Sequence, residues 1–455
     1  MKRPIHRWNR RGVAFCLSKI FTPAVWQNLG RSAPEFNQDR ERWFLRPLSL
    51  TALFMPLIQG RTLGARFKDG RKAVGQLFEK EVRPGKHLSG FQAALAALPE
   101  KVVADLRCAC QNAVLAAGHA PARVGRHVCF GVDGTNQETP RTAANEEYYG
   151  ISAQDPLPQR LISTCFCLGQ RLLWDWCGGP EHGTEPEQIL ELIRRGPPGA
   201  LYVKDAGKVG YEWFREVLES GHHFLLRVGG NFSLWAEEVG VVQAQGGRVL
   251  VWPQRRRADS PPLALRLIVY TRTYSKTKHG KTKLRTETVY LLTDLSAEHL
   301  TQTEAQHLFG LRWPGNEIGH RGWKRIVGEY KVASERPGNA EKESEFSLLG
   351  CMFVQVLALI AQDPRAKEIP SLAQALDVWE DAIKAVLKGK AATWLWARLK
   401  RCVLDKYERH SAKIRRDSPR RQNHKPLKPP VFLPLDARAK AKIALTLNRL
   451  GILEA

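Results

Sequence analysis

The sequence predicts an α/β fold in which a mixed β-sheet is flanked by helices. Between residues 127 and 177, short apolar runs separated by Gly, Asn, Gln and Pro predict three strands: HVCFGVD, LISTCFCL and RLLWDWC. From 185 to 228, apolar and amphipathic runs then alternate: EPEQILELIRRG, ALYVKD, GYEWFREVLESG and HHFLLRV. The predicted order is therefore three strands, helix, strand, helix and strand.

This order limits the possible topologies. Three antiparallel strands followed by right-handed crossovers to parallel strands is one of the few arrangements that it permits. It is the ribonuclease-H-like arrangement, in which the first and fourth strands are neighbours. We therefore expect the carboxyl ends of these two strands to meet at one edge of the sheet.

Composition and charge indicate a basic globular protein. The chain has 455 residues with 43% hydrophobic and 25% charged residues, which excludes disorder throughout. Its longest apolar stretch, at 348–361, is shorter than a membrane span, so we expect a buried helix and no membrane partner. Nine cysteines, an odd number, predict reduced thiols in a cytoplasm. The formal net charge of +25 favours nucleic-acid phosphate as a partner over a merely soluble basic surface.

Three regions are predicted along the chain. Residues 1–122 have a helical pattern, and 123–335 form the α/β region with a β-rich insertion at 229–294. Residues 336–455 are predicted to be helical, with a basic segment at 398–428 and an extended proline-rich linker, KPLKPPVFLPL. Within the insertion, a hairpin carries a basic tip that is predicted to contact DNA through Lys276, Lys278, Lys281 and Lys283.

Two aspartates mark the predicted catalytic edge of the sheet. Asp133 and Asp205 each end an apolar strand, and the predicted topology makes those strands neighbours. Convergent carboxylates repel each other unless a cation lies between them, and their hard oxygen atoms select Mg²⁺ or Mn²⁺. A third carboxylate is expected from a later helix, and Glu317 is the candidate because Lys324 follows it by about two turns. Two metal ions held in this way support in-line attack at phosphorus.

Three blocks of the sequence resemble the insertion-sequence-4 family of DDE transposases. They are FGVDGTNQETPRTAANEEYYG, then LPQRLIST with PPGALYVKDAGKVGYEWFREVLESGHHFLLRV, and FGLRWPGNEIGHRGWKRI. The resemblance covers about 125–360. It implies that Asp133, Asp205 and Glu317 bind two metal ions and that Arg312 and Lys324 hold DNA phosphates. It also implies a homodimer on double-stranded DNA that recognises terminal inverted repeats, joins them to target DNA and works in a bacterial cytoplasm, associated with the nucleoid.

The third block departs from the family at two positions. Phe309 stands where the family has tyrosine, which removes a hydroxyl and keeps the ring. Asn316 stands where the family spacing places the carboxylate, and Glu317 comes one residue later. Pro314 and Gly315 are expected to break the helix and to absorb the extra residue as a bulge. We prefer Glu317 because its spacing to Lys324 is intact; Glu304 and Glu329 are more distant alternatives.

Two other functions fit these residues. One is a metal-dependent nuclease on the same fold without strand transfer. The other is a catalytically impaired or domesticated transposase that only binds DNA, which the altered spacing before Glu317 motivates. In each case, sequence-specific recognition is predicted for the amino-terminal helices, since positioned helices can enter a major groove. The candidate contacts there are Arg61, Arg66, Lys68, Arg71 and Lys72.

Overall fold

The computed structural model describes most of the chain, with gaps. The described residues are 12–37, 43–58, 62–77, 84–119, 123–151, 157–180, 184–207, 209–253, 259–278, 281–328, 331–366, 368–404 and 427–452. The chain divides into two compact units: unit 1 (1–122, 133–188 and 313–405) and unit 2 (123–132, 189–312 and 406–455). This grouping differs from the three predicted regions: 1–122 lies wholly in unit 1, whereas each of the others contributes to both units.

Unit 1 is built mainly from helices. The described ones are α1 (Val13–Ile20), α2 (Pro23–Ser32), α3 (Leu45–Phe54), α4 (Leu63–Gly75), α5 (Leu88–Ala96), α6 (Glu100–Ala116), α7 (Ala143–Tyr149), α12 (Ile318–Arg321), α13 (Pro337–Ala361), α14 (Leu372–Leu387) and α15 (Leu395–Leu399). Helix α8 (Glu185–Arg194) begins in unit 1 and ends in unit 2. The predicted helical pattern of the amino-terminal region is thus confirmed. Side-chain caps fix the start of several of these helices; for example, Thr62 accepts a hydrogen bond from the Ala65 N–H of α4 at 3.2 Å.

Helix α13 forms the core of unit 1. It is 25 residues long and apolar over most of its length, so all of its side chains from Phe346 to Leu359 are buried. By length and composition it could cross a membrane, but 89% of its most apolar window is buried inside the protein. The stretch 348–361 is therefore a core helix, as its length predicted.

Two buried polar groups tie α13 to the strands of unit 1. Strands β3 (Gln159–Cys167) and β4 (Leu172–Pro180) pair antiparallel. Glu345 of α13 accepts hydrogen bonds from Arg160 Nη2 at 2.8 Å and from Trp176 Nε1 at 2.6 Å. Arg160 and Trp176 are 3% and 1% exposed, so the carboxylate neutralises a charge that water does not reach.

Unit 2 contains the larger part of the strands. They are β1 (Arg123–Val124), β2 (His127–Glu138, which continues into unit 1), β5 (Leu201–Lys204), β6 (His223–Arg227), β7 (Ser233–Ala236), β8 (Gly246–Val251), β9 (Leu263–Lys278), β10 (Lys281–Thr293) and β11 (Val431–Pro434). Their order is β11-β7-β8-β9-β10-β6-β5-β2. The helices of this unit are α9 (Tyr211–Glu219), α10 (Val239–Gln245), α11 (Gln302–Arg312) and α16 (Ala437–Arg449), together with the end of α8.

The first and fourth predicted strands are neighbours. Strand β2 pairs parallel with β5, in a register that joins Cys129 to Leu201 and Gly131 to Val203. Strand β5 in turn pairs parallel with β6. All four residues of β5 are buried, which is why its sequence is a continuous apolar run ending in one lysine. The strand order of this region agrees with the prediction, but the short helix α7, which lies between β2 and β3 in the sequence, was not predicted.

The β-rich insertion contains the predicted basic hairpin. Strand β10 pairs antiparallel with β9 along the whole length of β10, with Lys276 opposite Lys283 and Lys278 opposite Lys281. The four lysines therefore stand at the tip of the hairpin by backbone register. Their contact with DNA stays a prediction.

The proline-rich segment corrects one prediction. Within KPLKPPVFLPL, residues Val431–Pro434 are not a free linker but form β11, which pairs parallel with β7. The Val431 N–H donates to the Phe232 carbonyl and the Leu435 N–H to the Ala236 carbonyl. Pro434 is tolerated because β11 lies at the end of the strand order, where a missing N–H breaks no ladder.

We expect Glu345→Ala to destabilise the protein strongly. The substitution leaves the Arg160 charge buried without its carboxylate, which costs about 3–5 kcal/mol. Denaturant unfolding of the variant measures the loss. Glu146→Ala is the matched control: its pair with Arg141 is 30% and 62% exposed, so the loss there is about 1 kcal/mol or less. Equal losses for the two variants would contradict the assignment.

We expect the pair of His223 and Asp294 in unit 2 to stabilise the fold at low pH. The His223 Nδ1 lies 2.6 Å from Asp294 Oδ2, and this hydrogen bond raises the pKa of His223. Because the folded pKa is higher than the unfolded one, the stabilisation is complete below about pH 6.5 and is lost as the pH rises through the folded pKa. The neighbouring His127 ring, 5.5 Å away, has a pKa lowered by burial.

The measurement compares wild type with His223→Gln across pH. The difference in unfolding free energy is expected to be at most about 1 kcal/mol at pH 5.5, since 32% of the histidine side chain is exposed, and smaller at pH 9. A difference that grows with pH would show that the charged pair is not formed.

Candidate functional site

The three predicted metal ligands lie in described parts of the chain. Asp133 is in β2 and Asp205 directly follows β5, each two residues after the last paired residues of these strands, Gly131 and Val203. Glu317 ends a π-helical turn, Trp313–Glu317. Among the described residues, no three His, Cys, Asp or Glu side chains are grouped closely enough to hold a metal ion. The metal triad therefore stays a prediction.

In unit 2, Asp205 is paired with Arg312. The Arg312 Nη2 donates to Asp205 Oδ2 at 2.8 Å, and Asp205 Oδ1 accepts from the Ala206 N–H at 2.8 Å. Arg312 is 7% exposed, and its guanidinium carbon lies 5.7 Å from the centre of the Phe309 ring. The residue predicted to hold a DNA phosphate thus neutralises a predicted metal ligand. Phe309, at the tyrosine position, supports this arginine with its ring.

In unit 1, Lys324 is directed at the strand that carries Asp133. Its ammonium donates to Thr135 Oγ1 at 2.7 Å and to the Asn136 carbonyl. Burial lowers the pKa of Lys324, and the Glu138 carboxylate opposes that shift. Two of the three ammonium hydrogens have these partners, so the lysine holds the backbone just after Asp133. Its contact with DNA stays a prediction.

His320 is a residue of this region that the sequence argument missed. Its Nε2 lies 2.7 Å from Thr164 Oγ1, and the same hydroxyl donates to the Asp133 carbonyl at 3.3 Å. The histidine is 8% exposed. The available signal was spacing: His320 comes four residues before Lys324, so both side chains lie on one face of the helical segment.

Gly134 allows the Glu185 side chain to approach the backbone of β2. A Cβ atom at this position would lie 2.8 Å from Cγ of Glu185, in the first turn of α8, which is too close for carbon atoms. The glycine of the Asp-Gly-Thr sequence is therefore required by packing. Glu185, which the sequence argument did not consider, lies against the backbone next to a predicted metal ligand.

The extra residue before Glu317 is accommodated by the π turn. A helix break was predicted at Pro314 and Gly315. The structure has no break there: α11 is followed directly by the π turn Trp313–Glu317 and then by α12. A π turn bonds each residue to the fifth along instead of the fourth, so it holds one more residue than an α turn. The predicted bulge is thus present, and the predicted break is wrong. Two glycines let this segment pack on β3: a Cβ at Gly315 or Gly319 would lie 2.7 Å from Leu168 or 2.5 Å from Phe166.

Asn316 and Glu317 have different environments. Asn316 is 0% exposed, and both atoms of its amide are buried without a hydrogen-bond partner in the part of unit 1 that the structure describes. Glu317 is half-buried. Asn316 therefore points into the protein, whereas the adjacent Glu317 keeps contact with solvent.

The other predicted contacts are distributed as follows. Glu304 accepts from the Thr301 N–H and hydroxyl, which lower the pKa of its carboxyl, so it caps α11. Glu329, Arg61 and most of the basic segment, residues 405–426, lie outside the described residues. Arg66 is bound to Glu343 at 3.0 Å with 14% of its side chain exposed, so base contact is not open to it. Lys68 and Lys72 are exposed on α4.

Comparison with known proteins gives a distant structural likeness. No family model matches the chain, and no curated protein matches it. Among solved structures, the chain is similar to a piggyBac transposase synaptic complex with hairpin DNA, with 11% identity, 88% of each chain covered and a TM-score of 0.41. A likeness at this level carries no argument about function. The proposal below therefore rests on the residues of this chain.

We expect Asn316→Leu to stabilise the protein. Replacing a buried amide without partners by an apolar side chain of similar branching relieves a desolvation cost of about 1–3 kcal/mol. Thermal and denaturant unfolding measure the gain. Asn145→Leu is the matched control and should be destabilising, since the equally buried Asn145 amide donates to the Pro140 carbonyl at 3.0 Å. Destabilisation by Asn316→Leu would show that the amide has a polar partner.

Proposed function

We propose that the protein is a DNA transposase. It cleaves the ends of an insertion sequence and joins the resulting 3′-hydroxyl to target DNA by metal-dependent phosphoryl transfer, on a ribonuclease-H-like catalytic region. The observation that carries the proposal is the parallel pairing of β2 with β5, because it follows the strand order from which the catalytic aspartates were deduced. The three sequence blocks that resemble insertion-sequence-4 transposases support the same function.

The proposal assigns Asp133, Asp205 and Glu317 as ligands of two Mg²⁺ or Mn²⁺ ions. Carboxylate oxygens suit these hard cations, which supply charge stabilisation and an activated nucleophile when bound. Arg312 has a second role in this proposal: it balances the Asp205 charge in the metal-free protein. Lys324 orients the backbone after Asp133 through Thr135 and Asn136.

The proposed partners follow from the reaction. A transposase binds double-stranded DNA at its terminal inverted repeats and at the target, and two copies are needed to bring two ends together. The net charge of +25 supports DNA as the partner because each phosphate contact releases a bound counterion. A bacterial cytoplasm, with the protein associated with the nucleoid, is the compartment that suits this activity.

A second candidate function is DNA binding without cleavage. Two observations favour it. Asn316, at the position where the resembling family has a carboxylate, is neutral and buried, and Asp205 forms an ion pair with Arg312. A protein of this kind would keep the phosphate contacts and lose the metal ions. A nuclease without strand transfer is the third possibility.

The test uses purified protein, labelled DNA ends of the element that encodes it, and Mg²⁺. We expect joined products from wild type. Asp133→Asn and Asp205→Asn should each reduce cleavage by at least about 10³-fold with DNA binding unchanged, because they remove metal ligands and no phosphate contact. Asp377→Asn, at an exposed position of α14, is the matched control and should cleave like wild type.

The products separate the three functions. Cleaved DNA without joining indicates a nuclease, and DNA that is retarded but intact indicates a binding protein. Cleavage that survives Asp133→Asn would contradict the assigned active site.

A further inference from the structure

Unit 1 contains a large open cleft away from the assigned catalytic residues. Its volume is about 1690 Å³, and it is lined by the first turns of α4, α5 and α13 and by described residues within 325–328 and 331–336. Pockets for small molecules have volumes of roughly 300–1,000 Å³. The cleft is therefore suited to part of an extended ligand.

Three helices present their amino-terminal ends to this cleft. The lining includes Thr62 and Gly64 at the start of α4, Ser89 at the start of α5, and Gly338 and Asn339 at the start of α13. The first backbone N–H groups of a helix have no partner within it, and the helix dipole adds partial positive charge there. Added Cβ atoms at Gly64 and Gly338 would meet nothing within 4 Å, so the backbone at both places is open to a ligand.

Side-chain charge in the cleft is also positive. Arg325, Lys331 and Arg336 are exposed, and none of them forms an ion pair with any other described residue. One acidic residue, Glu335, faces them. The fourth cation, Arg66, is held by Glu343, which also accepts from the Ala333 and Ser334 N–H groups at 2.9–3.1 Å. Glu343 thereby connects α4, α13 and the intervening segment and gives the cleft a defined shape.

A buried amide in the wall of the cleft has an unused hydrogen-bonding atom. Asn339 is 8% exposed, and its Oδ1 has no partner among the described residues. It is the third residue of α13 and lines the cleft. An asparagine amide can present either its oxygen or its two N–H donors. The unpaired oxygen is an acceptor and would take a donor as placed; with the amide turned over, its N–H groups would instead meet acceptor oxygens of a ligand beside the helix N–H groups.

We propose that this cleft binds the phosphate backbone of duplex DNA. Converging helix amino termini and unpaired cations both select phosphate oxygens. The anion preference follows from the cleft itself, whereas the choice of DNA among polyanions rests on the proposed function. The surface is distinct from the basic hairpin and from Arg312 and Lys324.

The position of the cleft suits DNA that also reaches Asp133. Lys331 forms a backbone bridge with Glu138 at the end of β2, and the Val332 N–H donates to the Glu138 carbonyl at 3.1 Å. Asp133 lies five residues earlier in the same strand, which is about 16 Å at 3.3 Å per residue. This is the length of about five base pairs, so the cleft would hold duplex beside the cleaved end.

The first experiment measures duplex binding by full-length protein without metal between 50 and 300 mM salt. For Arg325→Ala/Arg336→Ala we expect roughly 10- to 100-fold weaker binding and a slope of log K against log salt that is smaller by about 1.8, since each phosphate contact contributes about 0.9. Lys388→Ala/Lys390→Ala is the matched control, because it removes two exposed charges after α14. It should keep the wild-type slope. An unchanged slope in the cleft variant, or equal losses in both variants, overturns the proposal.

A second pair of variants separates binding from folding. Gly338→Asp places a carboxylate at the second residue of α13. There it interacts favourably with the helix dipole and repels phosphate. We expect its Tm to be equal to or above that of wild type and its affinity for duplex to fall at least about tenfold. Gly338→Ala adds bulk without charge and should bind within about twofold of wild type. Wild-type affinity for Gly338→Asp overturns the proposal.

These results are independent of the cleavage test. Normal DNA binding by the cleft variants, with cleavage abolished by Asp133→Asn, would disprove DNA binding by the cleft and support the proposed function. The expected salt slopes for the cleft variants, with cleavage that survives Asp133→Asn, would disprove the assigned active site and support DNA binding by the cleft.

Discussion

Burial of α13 is the constraint on which unit 1 depends. Its apolar side chains from Phe346 to Leu359 fill the core, so the helix can shift little without opening a cavity. Its polar first half makes the internal polar contacts. There Glu343 binds Arg66 and the backbone of residues 333 and 334, and Glu345 binds Arg160 and Trp176. One helix thus provides the core, the internal ion pairs and the amino terminus that opens on the basic cleft.

The two predicted catalytic aspartates each have a positively charged side chain as a neighbour. Asp205 is neutralised by a nearly buried arginine, and the Lys324 ammonium binds the backbone next to Asp133. Both cations are thus engaged within their own units in the metal-free protein.

The π turn explains how a sequence with one extra residue keeps a continuous helix. Insertion into an α-helix rotates every later residue by about 100°, and a π turn takes up the insertion locally. The cost is visible at Asn316, whose amide is buried without partners among the described residues. The gain is that His320 and Lys324 still reach Thr164 and Thr135.

The order of the strands from 127 to 228, the amino-terminal helices, the basic hairpin and the buried helix at 348–361 were all predictable from the sequence. Each depends on local periodicity and turn residues, which neighbouring positions encode. Tertiary structure alone decided the partner of Arg312, the role of His320, the pairing of Val431–Pro434 with β7 and the cleft at the start of α13. These features join residues up to about 280 positions apart, and no local pattern specifies which distant group a side chain or an edge strand will meet.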